Sequence, residues 1–430
     1  MTRARMIASG AIAAASIAGG AAATTANSQP GAPSAVAASL PRPIDLTRVL
    51  LGPPNALASP LSIAAVRFGQ LNNQLLLTIR TRHRWSTPRL AAAPGRSLCL
   101  LVLRKHAPGP GIQVCVSPHD RGTLTAADID AGGRAGRART LTDATVARPT
   151  PTTVTARFRP ADIRLAHGIV RWQVRSTWSG GACTAPASAP AASASPCTDT
   201  VPAPPGVAHS RVVAVKPIGC DSGNALFVSN GSRSLREVAL AFDDGPWPDT
   251  PGFLNVLEQM HANASFFQIG EQIPEYGGPV DNRMLADGDD IGDHTETHPD
   301  ISAGGSFAYG EILGARSAIQ AETGYTPCIF RIPYGAGSYS DYTIARGLGL
   351  ATIGWDVDPT DWARPGTGAI ISRVMSMVQP GSILEMHDGG GDRSETLAAL
   401  PVIINDLRAR GLKPVSVTQL LGYPIIYGRA

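Results

Sequence analysis

A stretch rich in Pro, Ala and Ser, from 184 to 206, divides the 430-residue chain into two halves with different periodicity. Such a composition is typical of an extended linker, because it offers few large apolar side chains to bury. Before the stretch, short apolar–polar alternations are separated by Gly and Pro. After it, strand patterns alternate with helical ones. The chain is therefore predicted to fold as two domains joined by a linker.

The half from 40 to 183 is predicted to be a β-rich, sandwich-like accessory domain. In Val170–Arg175 apolar and polar residues alternate, and this period of two indicates a half-buried strand. Val66–Phe68 and Leu77–Arg80 repeat the alternation. Short strands at such spacing favour an all-β sandwich. This half contains no catalytic constellation, so no catalytic role is predicted for it.

The half from 207 to 430 alternates strand and helix patterns. Glu237–Phe242 is strand-like, and helical spacing is found in Phe253–His261, Ile312–Glu322 and Leu397–Arg410. This alternation predicts an α/β fold with a mostly parallel sheet or barrel. In barrels of this kind the chemistry lies on loops that follow the carboxyl ends of the strands. Residues at those positions are therefore the first candidates for a site.

The first residues predict export. Arg3 and Arg5 precede a weakly apolar Ala/Ile/Gly run, and small residues near Ala23 or Ala26 suit signal peptidase. Residues 1–26 are interpreted as a signal peptide, with a disordered Ala-rich terminus as the alternative. Nowhere else do about 18 consecutive apolar residues occur, which argues against stable membrane insertion. The protein is expected to be secreted or associated with the cell wall, as a monomer.

Composition excludes several classes of protein. Charged residues make up 16% of the chain, and it contains 46 Gly and 36 Pro, which argues against a coiled coil or a long helical bundle. The formal net charge is +4 and only three residues are lysines. No lysine-rich face for nucleic acid is therefore expected.

Six cysteines agree with export, because an even number in an exported chain indicates disulfide bonding. Six cysteines allow 15 connectivities, and their spacing favours the pairs Cys99–Cys115, Cys183–Cys197 and Cys220–Cys328. The first pair flanks a turn-rich stretch on a predicted hairpin. The second brackets an Ala/Pro/Ser segment, which leaves the third. A zinc–cysteine site is the rival interpretation, but the chain contains no C-x-x-C pair.

Two adjacent carboxylates follow the first strand pattern of the second half. Asp243 and Asp244 come directly after Val238–Phe242 and precede Gly-Pro. Adjacent carboxylates repel each other and lose solvation unless they share a cation or a proton. A surface Asp-Gly-Pro turn is the alternative interpretation.

His294 and His298 follow the strand-like segment Asp290–Asp293. Histidines at i and i+4 would lie on one helical face and could bind one metal. Thr295 stands where a zincin has Glu, so the H-E-x-x-H metalloprotease signature is excluded. Two histidines and one aspartate make a three-ligand set with room for water. Non-haem iron and a pair of exposed histidines without a metal are the alternatives.

Three later segments contribute further candidates: a Phe-Arg-Ile-Pro-Tyr stretch, an acidic stretch between two tryptophans, and a strand pattern that ends in histidine. Their candidate residues are Arg331, Tyr334, Trp355, Asp361, Trp362, Glu385 and His387. An exposed arginine, an acidic loop and a structural histidine are the alternatives. The glycine run after the histidine is not G-x-G-x-x-G, and no P-loop or G-x-S-x-G elbow occurs, which argues against a serine esterase.

In this order, these segments resemble the NodB-homology polysaccharide deacetylases of carbohydrate esterase family four. The motifs that carry the resemblance are Phe-Asp-Asp-Gly-Pro at 242–246, His-Thr-x-x-His-Pro at 294–299, Arg-x-Pro-Tyr at 331–334 and Asp-x-x-Asp-Trp at 358–362. The resemblance extends from about Arg236 to Gly422. It implies a distorted (β/α) barrel and removal of acetyl groups from N-acetylated sugars. It also implies one divalent metal, zinc or alternatively cobalt.

By position in these motifs, the resemblance implies a role for each candidate. Asp243 would be the general base, with Arg331 orienting it. The metal ligands would be Asp244, His294 and His298. The backbone N–H of Tyr334 would bind the oxyanion, and His387 would be the general acid, tuned by Asp361. The candidates for substrate binding are Tyr334, Trp355, Trp362 and Glu385.

Glu385 departs from the family pattern, in which an apolar residue precedes the acid histidine by two positions. Because residues i and i+2 of a strand share a face, Glu385 should lie on the same side as His387, toward the site. A local bulge that turns Met386 inward is the alternative. A carboxylate in the pocket is costly unless it is paired or hydrated. A wetter acyl pocket, or one that favours a polar acyl group, is therefore expected.

The predicted function is a secreted metal-dependent deacetylase whose partner is a polysaccharide such as peptidoglycan, chitin oligomers or acetylxylan. One alternative is a metal-dependent hydrolase of a small amide or imide on the same fold. The other is a non-catalytic carbohydrate-binding protein, which would be expected to have lost the base or the ligands.

Overall fold

The computed structural model describes residues 43–53, 59–92, 95–103, 111–117, 123–130, 134–141, 144–179 and 197–430. The predicted signal peptide, Cys183 and the first part of the predicted linker lie outside the described residues. The Cys183–Cys197 bond therefore stays a prediction.

The β half consists of two antiparallel sheets. Its strands are β1 (Arg48–Leu51), β2 (Ile63–Leu71), β3 (Gln74–Thr81), β4 (Ser97–Leu103), β5 (Gly111–Val116), β6 (Leu124–Ile129), β7 (Arg139–Leu141), β8 (Thr145–Thr150), β9 (Thr153–Phe158), β10 (Gly168–Trp178), β11 (Cys197–Val201) and β12 (Ala208–Val212), with one short helix, α1 (Thr87–Ala91). The five-stranded sheet has the order β1-β2-β3-β9-β8. The seven-stranded sheet has the order β11-β10-β4-β5-β6-β7, with β12 also paired to β10.

The two sheets share one apolar core, which confirms the predicted sandwich. Phe68 of the first sheet and Trp172 of the second meet edge to face, with ring centroids 5.1 Å apart. The alternation in the sequence is the cause, since every second side chain of a strand faces the same side. Cys99 and Cys115 are directly opposite on the β4–β5 hairpin and form the predicted disulfide.

The last part of the predicted linker belongs to the β half. Its end, Cys197–Val201, forms β11 and pairs with β10. β12 pairs with β10 as well, so the β half continues to Val212 instead of ending at 183. The physical reason is that Thr198, Thr200 and Val201 can join a sheet whose edge would otherwise be unpaired.

The α/β half contains parallel strands connected by helices. Its strands are β13 (Val215–Cys220), β14 (Phe227–Val228), β15 (Glu237–Gly245), β16 (Ser265–Gln268), β17 (Asp290–Asp293), β18 (Ile329–Phe330), β19 (Ala351–Ile353), β20 (Ile383–His387), β21 (Lys413–Val415) and β22 (Ile425–Arg429). Its helices are α2 (Thr250–Met260), α3 (Ile273–Tyr276), α4 (Pro279–Asp287), α5 (Gly305–Thr323), α6 (Tyr339–Gly347), α7 (Thr367–Met377), α8 (Ser394–Ala409) and α9 (Val417–Leu421).

The main sheet of this half has the order β14-β19-β18-β17-β16-β15-β20, with β21 beside β15, and its described pairs are parallel. This confirms the predicted α/β alternation and places α2, α5 and α8 on the three predicted helical segments. Single bridges connect Val357 with Leu384 and Asn230 with Ser382, near the two ends of the strand order. Closure into a barrel stays a prediction.

The disulfide between Cys220 and Cys328 is present as predicted, with Cα atoms 5.3 Å apart. Cys328 lies directly before β18, at the opposite end of that strand from Arg331. The bond therefore ties β13 to the amino end of the sheet. Among the described helices, none combines the length and apolar character that crossing a membrane requires.

Candidate active site

The candidate site lies where neighbouring parallel strands end. β15 ends in Asp243–Gly245, β17 ends in Asp293 and β20 ends in His387. Asp243 is directly opposite His387 in the β15–β20 register. Because carboxyl ends of parallel strands meet at one edge of a sheet, these segments bring their following loops together.

The backbone at Asp244 separates the two adjacent carboxylates. Asp244 has a φ of 68°, in the left-handed region that non-glycine residues rarely adopt. A Cβ at Gly389 would lie 1.8 Å from the carbonyl oxygen of Asp244, so glycine is required at 389 for the loops to approach. The conformation is held by this close packing, and it directs Asp243 and Asp244 to different partners.

Asp244, His294 and His298 form the first group of polar side chains, called the ligand cluster below. One atom from each lies within 4.8 Å of the others. The Oδ1 atom of Asp244 is 3.5 Å from Nε2 of His294 and 3.2 Å from Nε2 of His298. The structure thus brings together the three residues that the sequence analysis selected as ligands.

Each histidine is oriented through its other ring nitrogen. Nδ1 of His294 lies 2.8 Å from the carbonyl oxygen of Arg331, and Nδ1 of His298 lies 3.1 Å from the hydroxyl of Tyr334. A carbonyl can only accept, so Nδ1 of His294 donates to it, and this contact turns Nε2 toward Asp244. Such outer contacts are typical of histidines that bind metals.

The two histidines do not lie on a helix, and that prediction was wrong. They belong to an irregular loop in which Thr295 has a φ of 68° and His298 a φ of 56°. The backbone N–H of Thr295 donates to Oδ1 of Asp293, and the N–H of His298 donates to Oγ1 of Thr295. Local side-chain acceptors replace helical hydrogen bonds here. The loop places both rings on one side by this route.

The ligand cluster fits a divalent cation. The Oδ1 atom of Asp244 is buried and has no hydrogen-bond partner among the described residues, although such an atom is costly to leave unpaired. Burial alone would raise the pKa of Asp244, but the imidazole of His294, with His387 and His298, holds it well below its ordinary value. Two imidazole nitrogens and one carboxylate oxygen are a ligand set that zinc accepts, with a position left open.

Asp243, Glu385 and His387 form the second group, called the proton-transfer cluster below. One atom from each lies within 4.8 Å of the others. The fully buried guanidinium of Arg331 donates to Oδ1 of Asp243 at 2.7 Å and stacks on the ring of Phe267, 4.2 Å from its centroid. This fixed positive charge stabilises the Asp243 carboxylate and disfavours a second cation in this cluster.

His387 is held by Asp361. Nδ1 of His387 lies 2.8 Å from Oδ1 of Asp361, and the backbone N–H of His387 donates to Oδ2 at 2.9 Å. Thr396 donates its hydroxyl to the same carboxylate. Burial alone would lower the pKa of His387, but the hydrogen bond and charge of Asp361, with Asp243 and Asp244, raise it to about 9. The imidazole is therefore protonated at neutral pH.

Glu385 shares the side of β20 that carries His387, as expected from the strand period. Glu385 is 7% exposed, and Met386 packs into the core on the other side of the strand. Its carboxyl group forms no hydrogen bond or ion pair with the described residues, so it ends in the site without a protein partner. Burial raises its pKa well above the ordinary value, and the carboxylate of Asp243 adds to the rise.

Tyr334, Trp355 and Trp362 border the site. Tyr334 has a φ of 60° and is 70% exposed, and its backbone N–H donates to no described acceptor. The ring of Trp355 lies against Gly335 and 5.5 Å from the guanidinium carbon of Arg331. Trp362 is 55% exposed on the loop that also contains Asp361.

Sequence reasoning missed Asp388 and Arg393, whose hydrogen bonds hold the loops that carry the site residues. Asp388 is fully buried and accepts a hydrogen bond from Thr250. Arg393 donates to the carbonyl groups of Gly389, Gly390 and Trp362. The run of three glycines that begins two residues after His387 was the signal, because successive glycines at a strand end indicate close backbone approach.

Fold and site together define a class: an α/β protein that gathers two histidines and a carboxylate at its strand ends, beside a second carboxylate held by arginine. A family model described as polysaccharide deacetylase matches residues 230–353. A chitooligosaccharide deacetylase of Bradyrhizobium sp. (strain ANU 289) is 38% identical over 199 residues, which are 43% of this chain and 90% of the relative. The chain belongs to the polysaccharide deacetylase family.

The chain is also similar to two peptidoglycan N-acetylglucosamine deacetylases, one of them known from a crystal structure. A peptidoglycan-N-acetylglucosamine deacetylase of Bacillus cereus is 36% identical over 190 residues, covering 43% of this chain and 88% of the relative. A crystal structure of a peptidoglycan N-acetylglucosamine deacetylase is 28% identical, with a TM-score of 0.44, and the match covers 46% of this chain and 94% of that one.

Proposed function

We propose that this chain is a secreted, metal-dependent deacetylase that hydrolyses N-acetyl or O-acetyl groups of a polysaccharide such as peptidoglycan, chitin oligomers or acetylxylan. The observation that carries the proposal is the division of Asp243 and Asp244 between two clusters. Asp244 lies beside the Nε2 atoms of two histidines. Asp243 forms an ion pair with the buried Arg331 and lies opposite His387 in the sheet. The names of the relatives support a glycan substrate.

Asp244, His294 and His298 would hold the metal, with zinc first and cobalt as the alternative. When bound, a divalent cation polarises an acyl carbonyl and lowers the pKa of water. Asp243 accepts the proton of the attacking water, because its carboxylate has one oxygen on Arg331 and the other, Oδ2, 4.0 Å from Nε2 of His294, facing the ligand cluster. Arg331 thus orients the base without removing its capacity to accept.

His387 donates a proton to the leaving amine. Its Nδ1 is engaged by Asp361, which leaves Nε2 as the atom that transfers the proton. The backbone N–H of Tyr334 donates to the developing oxyanion, and one such donor contributes roughly 3–4 kcal/mol in acyl transfer. Water adds to the acyl carbon and the C–N bond breaks, so acetate and a protonated amine leave. For an O-acetyl group the acyl C–O bond breaks instead, and acetate and the sugar hydroxyl leave.

Glu385 is proposed to line the acyl end of the pocket. Its raised pKa keeps a fraction of the carboxyl group protonated near neutral pH. A protonated carboxyl can donate as well as accept a hydrogen bond. A pocket lined by this carboxyl group would accept a polar acyl group better than an apolar pocket would. It would bind a plain acetyl group less well. Tyr334, Trp355 and Trp362 would supply aromatic faces for sugar rings.

The test is acetate release from chitin oligomers, peptidoglycan and acetylxylan, measured with and without a chelator and with Asp243→Asn as the control. Chelator-sensitive acetate release from at least one polymer is expected. Turnover of small cyclic imides without release from any polymer would favour a small-amide hydrolase. Glycan binding without turnover would favour a carbohydrate-binding protein. Export is tested separately, by the mature amino terminus of protein recovered from the culture medium.

A further inference from the structure

The charges of this chain are separated between its halves. Residues 41–212 contain 21 Lys and Arg against 7 Asp and Glu. Residues 213–430 contain 14 basic and 26 acidic residues. The net charge of +4 therefore conceals a β half of +14 joined to an α/β half of −12. A separation of this size means that the two halves attract different classes of partner.

Three basic side chains of the β half lie together on the outer face of the seven-stranded sheet. Arg171 and Arg175 take outward positions on β10, because Trp172 between them is buried. Arg211 lies on the neighbouring strand β12, opposite Ile169 and therefore diagonal to Arg171. Diagonal neighbours on adjacent strands are about 7–8 Å apart. Arg171, Arg175 and Arg211 are called the arginine face below.

The arginine face has no counter-charge in the described part of the chain. None of its guanidinium groups forms an ion pair or a hydrogen bond there, whereas Arg67 of the other sheet is paired with Asp45. The acid of the adjacent strand β11, Asp199, points inward and accepts from the backbone N–H of Ile63 at 2.7 Å. The outward neighbours on β10 and β12 are Gln173 and His209, and Gln173 is 8% exposed and donates to the carbonyl oxygen of Gly206. The face is therefore positive and unneutralised.

The β half offers no aromatic platform for neutral sugars. Its aromatic side chains are all buried in the sandwich core: Phe68, Trp85, Phe158, Trp172 and Trp178. A neutral glycan held by stacking would need an exposed ring. Charge complementarity is the recognition chemistry that this surface does supply. Arg171 and Arg175 are four residues apart on one strand, on either side of the buried Gln173, a span of about 13 Å that one linear polymer can bridge.

We propose that the arginine face binds an acidic polysaccharide, a linear polymer with carboxylate or phosphodiester groups along its length. Membership of the α/β half in the polysaccharide deacetylase family favours a glycan over a lipid surface or a nucleic acid. Binding here holds the chain on a polymer through the β half. It uses none of the residues of the candidate active site, so it can be measured without turnover.

The test compares two triple variants of the full chain with equal changes in net charge. R171Q/R175Q/R211Q removes the arginine face. R346Q/K413Q/R429Q removes three positive charges from the α/β half, at side chains without described partners. Binding is measured to polygalacturonate, phosphomannan, neutral dextran, phosphatidylglycerol vesicles and duplex DNA at 50 and 500 mM salt. Thermal unfolding of both variants checks their folding.

Wild type should bind polygalacturonate or phosphomannan but not dextran, and salt should weaken the binding because it screens exposed charges. The first variant should bind roughly tenfold more weakly or worse, and the control should remain within about twofold of wild type. The two acidic glycans distinguish carboxylate from phosphodiester recognition. Equal losses in both variants would overturn the proposal. So would absence of wild-type binding to either acidic glycan, or tighter binding to phosphatidylglycerol vesicles or duplex DNA.

Discussion

The ligand cluster and the proton-transfer cluster contain neighbouring aspartates in opposite electrostatic settings. Asp244 has only imidazole nitrogens around its free oxygen, and no protein cation neutralises it permanently. Asp243 is bound by the buried guanidinium of Arg331. One left-handed backbone conformation sends the two side chains apart. The difference teaches that the surroundings of a carboxylate, more than its position in the chain, decide whether it suits a cation or a proton.

Loss of a histidine from the ligand cluster should have the largest effect. His294→Ala removes one of three donors, so we expect metal to be lost on dialysis and turnover to fall to background. Metal content by elemental analysis and acetate release check this. His167→Ala, at an exposed histidine of the β half, is the control. Stoichiometric metal retention in His294→Ala with wild-type affinity would contradict the assignment.

Asp243→Asn should remove the function of the proton-transfer cluster and leave metal binding by the ligand cluster intact. The amide cannot accept the water proton, so kcat should fall roughly 10³-fold, while the metal stays bound. Arg331 then keeps a hydrogen-bond acceptor but loses its counter-charge, and a lower melting temperature is expected. The comparison between clusters fails if Asp243→Asn releases metal as readily as Asp244→Asn does.

Asp361→Asn should change the pH dependence through His387. The protonated imidazole is the active form, so activity is expected below a pKa of about 9 and is lost as the pH rises through it. Removing the Asp361 charge lowers that pKa. The basic limb of the kcat profile should therefore move to lower pH, with roughly 10–10²-fold lower kcat at pH 8. A basic limb at the wild-type position would argue against His387 as the acid.

Glu385→Leu should have the smallest effect on activity, and it should raise activity where the other variants lower it. Replacing an unpaired buried carboxyl by an apolar side chain removes a desolvation cost. A rise of a few fold in kcat/KM for N-acetyl substrates is expected, with a shift of one pH limb. Glu385→Gln keeps the size and polarity and should show the pH shift without the gain. Unchanged kinetics in both variants would place Glu385 outside the acyl pocket.

The amino-acid sequence alone was sufficient to predict the sandwich, the α/β half, two disulfides and the residues of both clusters. The reason is that period-two and helical patterns report local burial. Chemistry-bearing residues such as Asp243, His294 and His387 follow strand patterns whose carboxyl ends must meet. Glu385 was also found in this way, because i and i+2 of β20 share a face.

The folded chain was required for everything that depends on contacts distant in sequence. The composition of 197–206 resembles a linker, yet β11 is a strand because the edge of β10 accepts it. The spacing of His294 and His298 resembles a helix, yet the two rings lie on a loop and contact the carbonyl oxygen of Arg331 and the hydroxyl of Tyr334. Spacing specifies which residues can be neighbours along one element. Tertiary packing decides which hydrogen bonds form, because the partners of these backbone groups and rings lie on other strands and loops.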